Sequence, residues 1–353
     1  RQLRPLLASG SARACDQEEA PAGPIWPAVR AAQHGPLQRL HRQMGRQVLS
    51  YDNQRILGEQ DWGQQAQSHD ALTVSFHNET QKLDLGGAYN STAENVIQTP
   101  YTVASYKALQ YAWYHNQFNS DLGLSLLFLN TGYEYAPNPN PANKLLVDYK
   151  QTFGTYLTYK KGKIDTNFWL YGQTGKSTDL QVSAWNAAAN FGYNITDAFK
   201  AGLGYEFLSG KDSNDGSTVI KSFNPIFGTN HGFNGYMDYF YVGNHLNNVG
   251  LQDAFLKLNY NVNKWQFTLM PHIFLSAADV VTPANEKLDS YLGTEIDATF
   301  GYNFKKNITV TGGYSQMFGS STLEFIKNGD ANHTNNWAWL MISVDPKIFS
   351  WKK

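Results

Sequence analysis

The sequence has little cysteine, little charge and no long apolar run. Its single cysteine among 353 residues is Cys15, which excludes a disulfide framework and cysteine-based zinc sites. Charged residues make up 16% of the chain, below the roughly 25% that is usual for soluble domains. Because the net charge is −1, no bulk electrostatic attraction to nucleic acid is expected.

Apolar runs are short, as in Leu126 to Leu129. A membrane-spanning helix needs about 20 mainly apolar residues, so any membrane insertion must use strands. Aromatic residues and glycine are abundant, with 21 Tyr, 20 Phe, 9 Trp and 30 Gly, although the mean hydropathy is −0.45. This combination fits a β-barrel whose side chains face lipid and water alternately.

Residues 1–44 differ in amino-acid usage from the rest of the chain. They contain six Arg, no Lys, no Tyr and no Phe, whereas residues 45–353 contain all 20 Lys and only two Arg. No apolar stretch of about 7–15 residues followed by a cleavage site marks a secretory signal here. We interpret residues 1–44 as a truncated, fused or misread sequence, with a disordered basic arm as the alternative, and assign them no function. The barrel domain is expected to span residues 45–353.

From Gly45 onward, apolar and polar residues alternate in about 14 short segments. Leu72, Val74 and Phe76 form one face of such a segment, and Thr73 and Ser75 lie on the other. Period two predicts strands, and segments of about 9–13 residues suit a tilted membrane-crossing strand. Further examples are residues 147–160, 199–208, 265–276 and 292–304.

The predicted turns have two sizes. Tight turns are expected at residues 161–163, 194–197, 261–264 and 305–307, and long polar loops at 136–143, 209–248, 277–287 and 328–335. Short turns at one end and long loops at the other are typical of outer-membrane barrels. The sequence therefore predicts an all-β fold, a transmembrane antiparallel β-barrel in the outer membrane of a Gram-negative bacterium.

Two motifs carry a family resemblance. The first runs from Gly45-Arg46-Gln47 to Arg55 and is followed by Gly58 and Asp61-Trp62, with Asp70-Ala71-Leu72 further on. The second is the stretch at residues 223–235, Phe-Asn-Pro-Ile-Phe-Gly-Thr-Asn-His-Gly-Phe-Asn-Gly, followed by Asp238. Together they resemble the alginate-export family of outer-membrane proteins, over about residues 45–353.

The resemblance implies a monomeric barrel of about 18 strands, more than the segments counted here. Such a barrel passes an anionic polysaccharide outward through an electropositive lumen and works with periplasmic export components. The predicted partners are therefore an anionic polysaccharide or small solute and outer-membrane lipid, with no nucleic acid.

Arg46 and Arg55 are the only arginines after residue 45. The arginine side chain is a planar, always charged fork that suits carboxylates. Two interpretations stay open: contact with a uronate carboxylate in the lumen, or a structural pair with Asp52, Asp61 or Asp70 across the barrel interior. Asp70 and Lys150 complete the lumen contacts predicted on this part of the chain.

His231 and Asp238, with His245 nearby, invite a catalytic or metal-binding interpretation. Two histidines and one aspartate without a second carboxylate make a poor metal site. We instead expect His231 and Asp238 to contact solute from an ordered loop in the pore mouth, and we predict no metal, no cofactor and no catalytic residue. The predicted lumen face is mixed in sign and carries Asp148, Lys150, Lys200, Glu206, Asp253, Lys257, His272, Glu295 and Asp297.

Three hypotheses follow from the sequence. The first is an exporter that passes an anionic, alginate-like polysaccharide through a charged lumen by passive movement. The second is a general solute-uptake porin. The third is a barrel enzyme or surface-binding protein that uses His231, Asp238 and the loop at residues 209–248, and we rank it last because we expect the chain not to be an enzyme.

Overall fold

The computed structural model describes residues 39–60, 66–90, 106–137, 145–229, 231–240, 249–333 and 335–346. Fourteen strands pair in chain order in one antiparallel sheet, accompanied by one short helix. No helix in these ranges is both long and apolar enough to cross a membrane. The elements are β1 (Arg39–Gln47), β2 (His69–His77), β3 (Gln81–Tyr89), β4 (Ala108–Gln117), β5 (Leu122–Tyr135), β6 (Leu146–Lys161), β7 (Ile164–Ser177), β8 (Leu180–Asn194), β9 (Phe199–Leu208), β10 (Leu251–Val262), β11 (Trp265–Leu275), β12 (Tyr291–Lys305), β13 (Ile308–Gly319), α1 (Ser321–Lys327) and β14 (Asn335–Val344).

The strands confirm the predicted all-β fold and add one detail at the N-terminal side. β1 begins at Arg39, so it includes the last residues of the segment that differs in composition. Residues 1–38 lie outside the described ranges. Within those ranges β1 and β14 form no ladder with each other, so they are the two edge strands of the sheet.

Each strand presents two different faces because successive side chains point to opposite sides. On β2, Ala71 and Thr73 are buried while Leu72 is 47% exposed, and on β14 Leu340 is 70% exposed. We call the face of Ala71 and Thr73 the inner face and that of Leu72 and Leu340 the outer face. An apolar outer face and a polar inner face are what lipid outside and water inside require.

The turns also follow two patterns. Every connection after an even-numbered strand is short, at residues 78–80, 118–121, 162–163, 195–198, 263–264 and 306–307, and this end is called the short-turn rim. All four predicted tight turns lie on it. Gly162 and Asn263 adopt positive φ, as two-residue hairpin turns require.

The opposite end, called the long-loop rim, carries the longer connections. The exception is the β7–β8 turn, where Thr178 and Asp179 both adopt positive φ. Helix α1 lies on this rim, capped by the Ser320 hydroxyl, which accepts from the Leu323 amide, and ended by Asn328 in the left-handed region. Its buried face includes Leu323 and Ile326, which belong to the main apolar cluster of buried residues.

Candidate functional site in the barrel lumen

Two connections on the long-loop rim fold back against the inner face and meet there. Inward loop 1 comprises residues 48–60, and inward loop 2 comprises residues 223–229 and 231–240. Leu57 and Phe227, both almost fully buried, form a parallel bridge between them. The Gly58 amide donates to the Phe227 carbonyl at 2.8 Å, and the Thr229 amide donates to the Gln54 carbonyl at 2.9 Å.

This close approach of two backbones depends on a glycine. A Cβ atom placed on Gly228 would lie 2.2 Å from the Arg55 carbonyl oxygen, a distance that no real Cβ contact tolerates. The Phe-Gly-Thr triplet of the second sequence motif therefore has a structural purpose here, since it lets inward loop 2 run directly against inward loop 1.

Inward loop 1 is anchored to the inner face of β3 and β4. The Tyr51 hydroxyl donates to Asp84 Oδ2 at 3.0 Å and lies 2.9 Å from the Tyr111 hydroxyl. The Trp113 indole donates to Asp52 Oδ2 at 3.1 Å. Burial raises the pKa of the Asp52 carboxyl above its ordinary value.

On its other side the same loop reaches β9 through Arg55. The Arg55 Nε donates to Glu206 Oε1 at 2.7 Å, and its Nη2 donates to Asn234 Oδ1 at 2.9 Å. The guanidinium carbon lies 4.5 Å from the centre of the Phe233 ring. Arg55 is 2% exposed and Glu206 is 3% exposed. Because four strands separate β4 from β9 in the sheet, inward loop 1 bridges distant parts of the wall.

Glu206 belongs to a set of carboxylates on neighbouring strands, which we call the acidic belt: Glu206 on β9, Asp253 on β10, and Glu295 and Asp297 on β12. All four are almost fully buried. His272 on β11 lies between them, with its Nδ1 at 2.8 Å from Asp253 Oδ1 and its Nε2 at 3.7 Å from Asp297 Oδ2.

Inward loop 2 supplies donors to the acidic belt. The Asn234 amide nitrogen donates to Glu206 Oε2 at 2.9 Å and to Asp253 Oδ2 at 3.2 Å. The Met237 backbone amide donates to Glu295 Oε1 at 2.9 Å. Period-two alternation predicts all four carboxylates and His272 on the lumen side, and their burial on the inner face confirms this. Asn234 carries no such signal in the sequence, because it lies in a loop.

Lys150 lies on the inner face of β6, away from the acidic belt. It is 8% exposed, and its ammonium lies 5.9 Å from the centre of the Tyr133 ring. No carboxylate pairs with it in the described part of the chain, and the hydroxyls of Tyr133 and Thr131 also have no hydrogen-bond partner there. Thr131 is the cross-strand partner of Lys150. Lys150 is therefore an inner-face cation beside two buried hydroxyls that have no hydrogen-bond partner in the described residues.

His231 and Asp238 are brought together within inward loop 2. The His231 Nδ1 lies 2.9 Å from Asp238 Oδ1, and the imidazole stacks on the Tyr236 ring at 5.8 Å. No group of three or more ligating side chains suited to a metal ion occurs among the described residues. The geometry makes His231 a hydrogen-bonded residue of the loop. His245 and Asp61 lie outside the described ranges.

Arg46 and Asp70 form a structural pair that the sequence left open, but their predicted place in the lumen requires a correction. They pair with each other, Arg46 Nη2 to Asp70 Oδ2 at 3.0 Å, with side chains that are 52% and 54% exposed. They are register partners between β1 and β2, two residues beyond the pair of Met44 and Leu72. Alternation therefore puts all four on the outer face, and this ion pair does not line the lumen.

The comparisons with known proteins give structural relatives only. No family model matches the sequence, and no curated protein matches it. Acinetobacter baumannii OccAB4 superposes with a TM-score of 0.56 at 11% identity, over 88% of this chain and 74% of that one. Pseudomonas aeruginosa OprD, an outer membrane protein, gives 0.56 at 12% identity over 86% and 75%. P. aeruginosa OpdK, solved with vanillate, gives 0.54 at 12% identity over 89% and 77%.

The fold is that of an outer-membrane β-barrel. The chain-order antiparallel pairing of the strands and the short turns at one end agree with this fold. At 10–12% identity in the matches with TM-scores above 0.5, the likeness concerns the fold. What passes through the lumen has to be argued from this chain's own residues.

Proposed function

We propose that the chain forms a passive pore for small solutes in the outer membrane of a Gram-negative bacterium. The observation that carries the proposal is the sheet with two different faces: exposed apolar side chains outside, and buried charged and polar side chains among apolar ones inside. The likeness to OprD and OpdK in fold supports a porin over the other two hypotheses. We propose no catalytic role for any residue.

The lumen chemistry favours small solutes over an anionic polysaccharide. Of the two arginines expected to contact uronates, Arg46 lies on the outer face and Arg55 is bound by Glu206 and Asn234. Lys150, a predicted lumen contact, lies on the inner face and has no carboxylate partner in the described residues, which supports it as a contact for the solute. A small solute carrying a carboxylate can meet Lys150 and leave again, because weak contacts suit passage through a pore.

The test is reconstitution into planar bilayers and liposomes. We expect discrete conductance steps, swelling of liposomes in small sugars or amino acids, and no swelling in a polyuronate. Folded protein that inserts into the bilayer but conducts no ions contradicts the proposal. If a polyuronate blocks the conductance at concentrations well below those at which the uronate monomer does, the result supports export of a polysaccharide instead.

Lys150→Gln sharpens this experiment. Removal of a lumen cation while the acidic belt stays in place should shift the reversal potential in a salt gradient toward cation selectivity. Lys287→Gln is the matched control, since Lys287 lies in a long-rim loop and pairs with Asp279 at 2.8 Å. An equal shift from both variants contradicts a lumen contact at Lys150.

A further inference from the structure

Three neighbouring lysines lie on the short-turn rim, outside the candidate site in the lumen. Lys264 is in the β10–β11 turn, and Lys305 and Lys306 are at the β12–β13 turn. The two turns are joined by a hydrogen bond from the Asn303 amide to the Lys264 carbonyl at 2.9 Å. All three side chains are exposed. We call Lys264, Lys305 and Lys306 the basic rim patch.

Two ammonium groups of this patch converge on one lipid-facing residue, Phe304. The Lys264 Nζ donates to the Phe304 carbonyl at 3.4 Å, and the Lys305 Nζ lies 5.7 Å from the centre of the Phe304 ring. Neither ammonium pairs with a carboxylate in the described residues. Asp345, which follows β14, donates its backbone amide to the Asn307 carbonyl of the β12–β13 turn at 3.0 Å. By contrast, Lys200 on the same rim is paired with Asp165 at 2.6 Å.

An aromatic surface lies beside the basic rim patch on the outer face. The Trp265 ring is 4.4 Å from that of Tyr302 and 5.7 Å from that of Phe267. Phe304 is 50% exposed and Phe267 is 42% exposed. Aromatic rings at this height are typical of the membrane–water interface, and lysines there extend their ammonium groups toward headgroups.

We propose that the basic rim patch binds the phosphate of an anionic phospholipid between Lys264 and Lys305, with the acyl chain against Trp265 and Phe267. The inference rests on the proposed membrane location, in which short turns face the periplasm. A free phosphate can contact the lysines but not the aromatic surface, whereas a phospholipid can contact the lysines with its phosphate and the aromatic surface with its acyl chain. The assignment is therefore to the lipid and not to a soluble anion.

The experiment is native mass spectrometry of the detergent-solubilised protein titrated with dioleoylphosphatidylglycerol or dioleoylphosphatidylcholine. We expect one phosphatidylglycerol to bind more tightly than phosphatidylcholine. Since a lysine near an anionic surface contributes a factor of about five in affinity, Lys264→Gln/Lys305→Gln should weaken this binding about 25-fold.

Lys163→Gln is the matched control. Lys163 is a lysine of the same rim, and its Nζ likewise donates to a backbone carbonyl, that of Ile195, at 3.3 Å. Equal affinity for the two lipids, or an equal loss from Lys163→Gln, overturns the proposal, and so does displacement of the lipid by glycerol phosphate alone. Conductance is measured on the same preparation: a conducting protein without lipid preference refutes the lipid site and leaves the pore intact.

Discussion

The connection between the two inward loops gives the sharpest prediction. Arg55→Met removes a guanidinium that donates to Glu206 at 2.7 Å and to Asn234 at 2.9 Å, and it keeps much of the side-chain volume beside Phe233. The carboxylate of Glu206, 3% exposed, then loses its cation. We expect inward loop 1 to detach from β9 while its contacts with β3 and β4 persist.

The magnitude follows from the burial of the pair. Removal of one partner from a buried ion pair costs about 3–5 kcal/mol. Glu206 keeps hydrogen bonds from the Asn186 and Asn234 side chains, each at 2.9 Å, so we take the lower end, about 3 kcal/mol. At about 1.4 kcal/mol per tenfold, the equilibrium between the docked and released loop shifts about 100-fold toward release.

The assay combines proteolysis with conductance. A protease of broad specificity should cut inward loop 1 of Arg55→Met about 100-fold faster than that of the unaltered protein, because cleavage follows the released population when reclosing is fast. Single-channel recordings should show larger or more frequent open states. The double variant Arg55→Met/Glu206→Gln should recover part of the loss, since no charge is then left unpaired.

Two further variants make the test specific. Arg46→Met removes a chemically similar but exposed pair, which is worth about 0–1 kcal/mol, and should change neither cleavage nor conductance. Gly228→Ala separates the two loops by a different route, since its Cβ meets the Arg55 carbonyl oxygen at 2.2 Å, and should resemble Arg55→Met. If Arg55→Met folds and conducts yet its loop is cut no faster than before, the pair of Arg55 and Glu206 does not hold inward loop 1 against β9.

Two other predictions concern the outer face and the long-loop rim. Leu269 lies in the middle of β11 on the outer face, and Leu269→Arg should lower the free energy of unfolding in bilayers by about 2–4 kcal/mol. Urea titration measures this change. An unchanged midpoint of urea unfolding contradicts a lipid-facing β11. Burial lowers the pKa of Lys327 in α1 from 10.5 to about 8, so the detached helix binds more protons than the docked one between these values. Docking of α1 should therefore strengthen as pH rises through this window. The measurement is proteolytic cleavage or amide exchange at residues 321–327, which should become slower as pH rises. Lys327→Met should remove this pH dependence.

Much of the wall could be predicted from alternation alone. The pattern around Leu72 and Thr73 predicts their opposite faces, and the same pattern places Glu206, Asp253 and Glu295 in the lumen. It works because a one-residue shift would exchange every side chain between lipid and water. Tight turns could be located for a similar reason, since positions such as Gly162 need a backbone that few residues adopt.

Contacts of the inward loops could not be predicted in this way. Arg55 pairs with Glu206, 151 positions along the chain, and with Asn234, 179 positions along, whereas the sequence suggested the neighbours Asp52, Asp61 or Asp70. Loop residues have no period that fixes their direction. Arg46 is different: Met44 already marks the outer face of β1, so alternation could have placed Arg46 beside lipid.

The signs of charge in the lumen bear on the proposal that a small solute passes more easily than a polyanion. Two charged carboxylates about 8 Å apart repel each other by about 2 kcal/mol at an effective dielectric constant of about 20, so any member of the acidic belt that is charged and unpaired opposes an anion that passes at this distance. A polymer brings a new carboxylate to that position with every charged unit, and Arg55 is already occupied by Glu206. A small acid can instead place its one carboxylate near Lys150 on β6 and turn its neutral part toward β9. Under the proposed function, the separation of Lys150 from the acidic belt would select for solutes with few charges, whichever direction they travel.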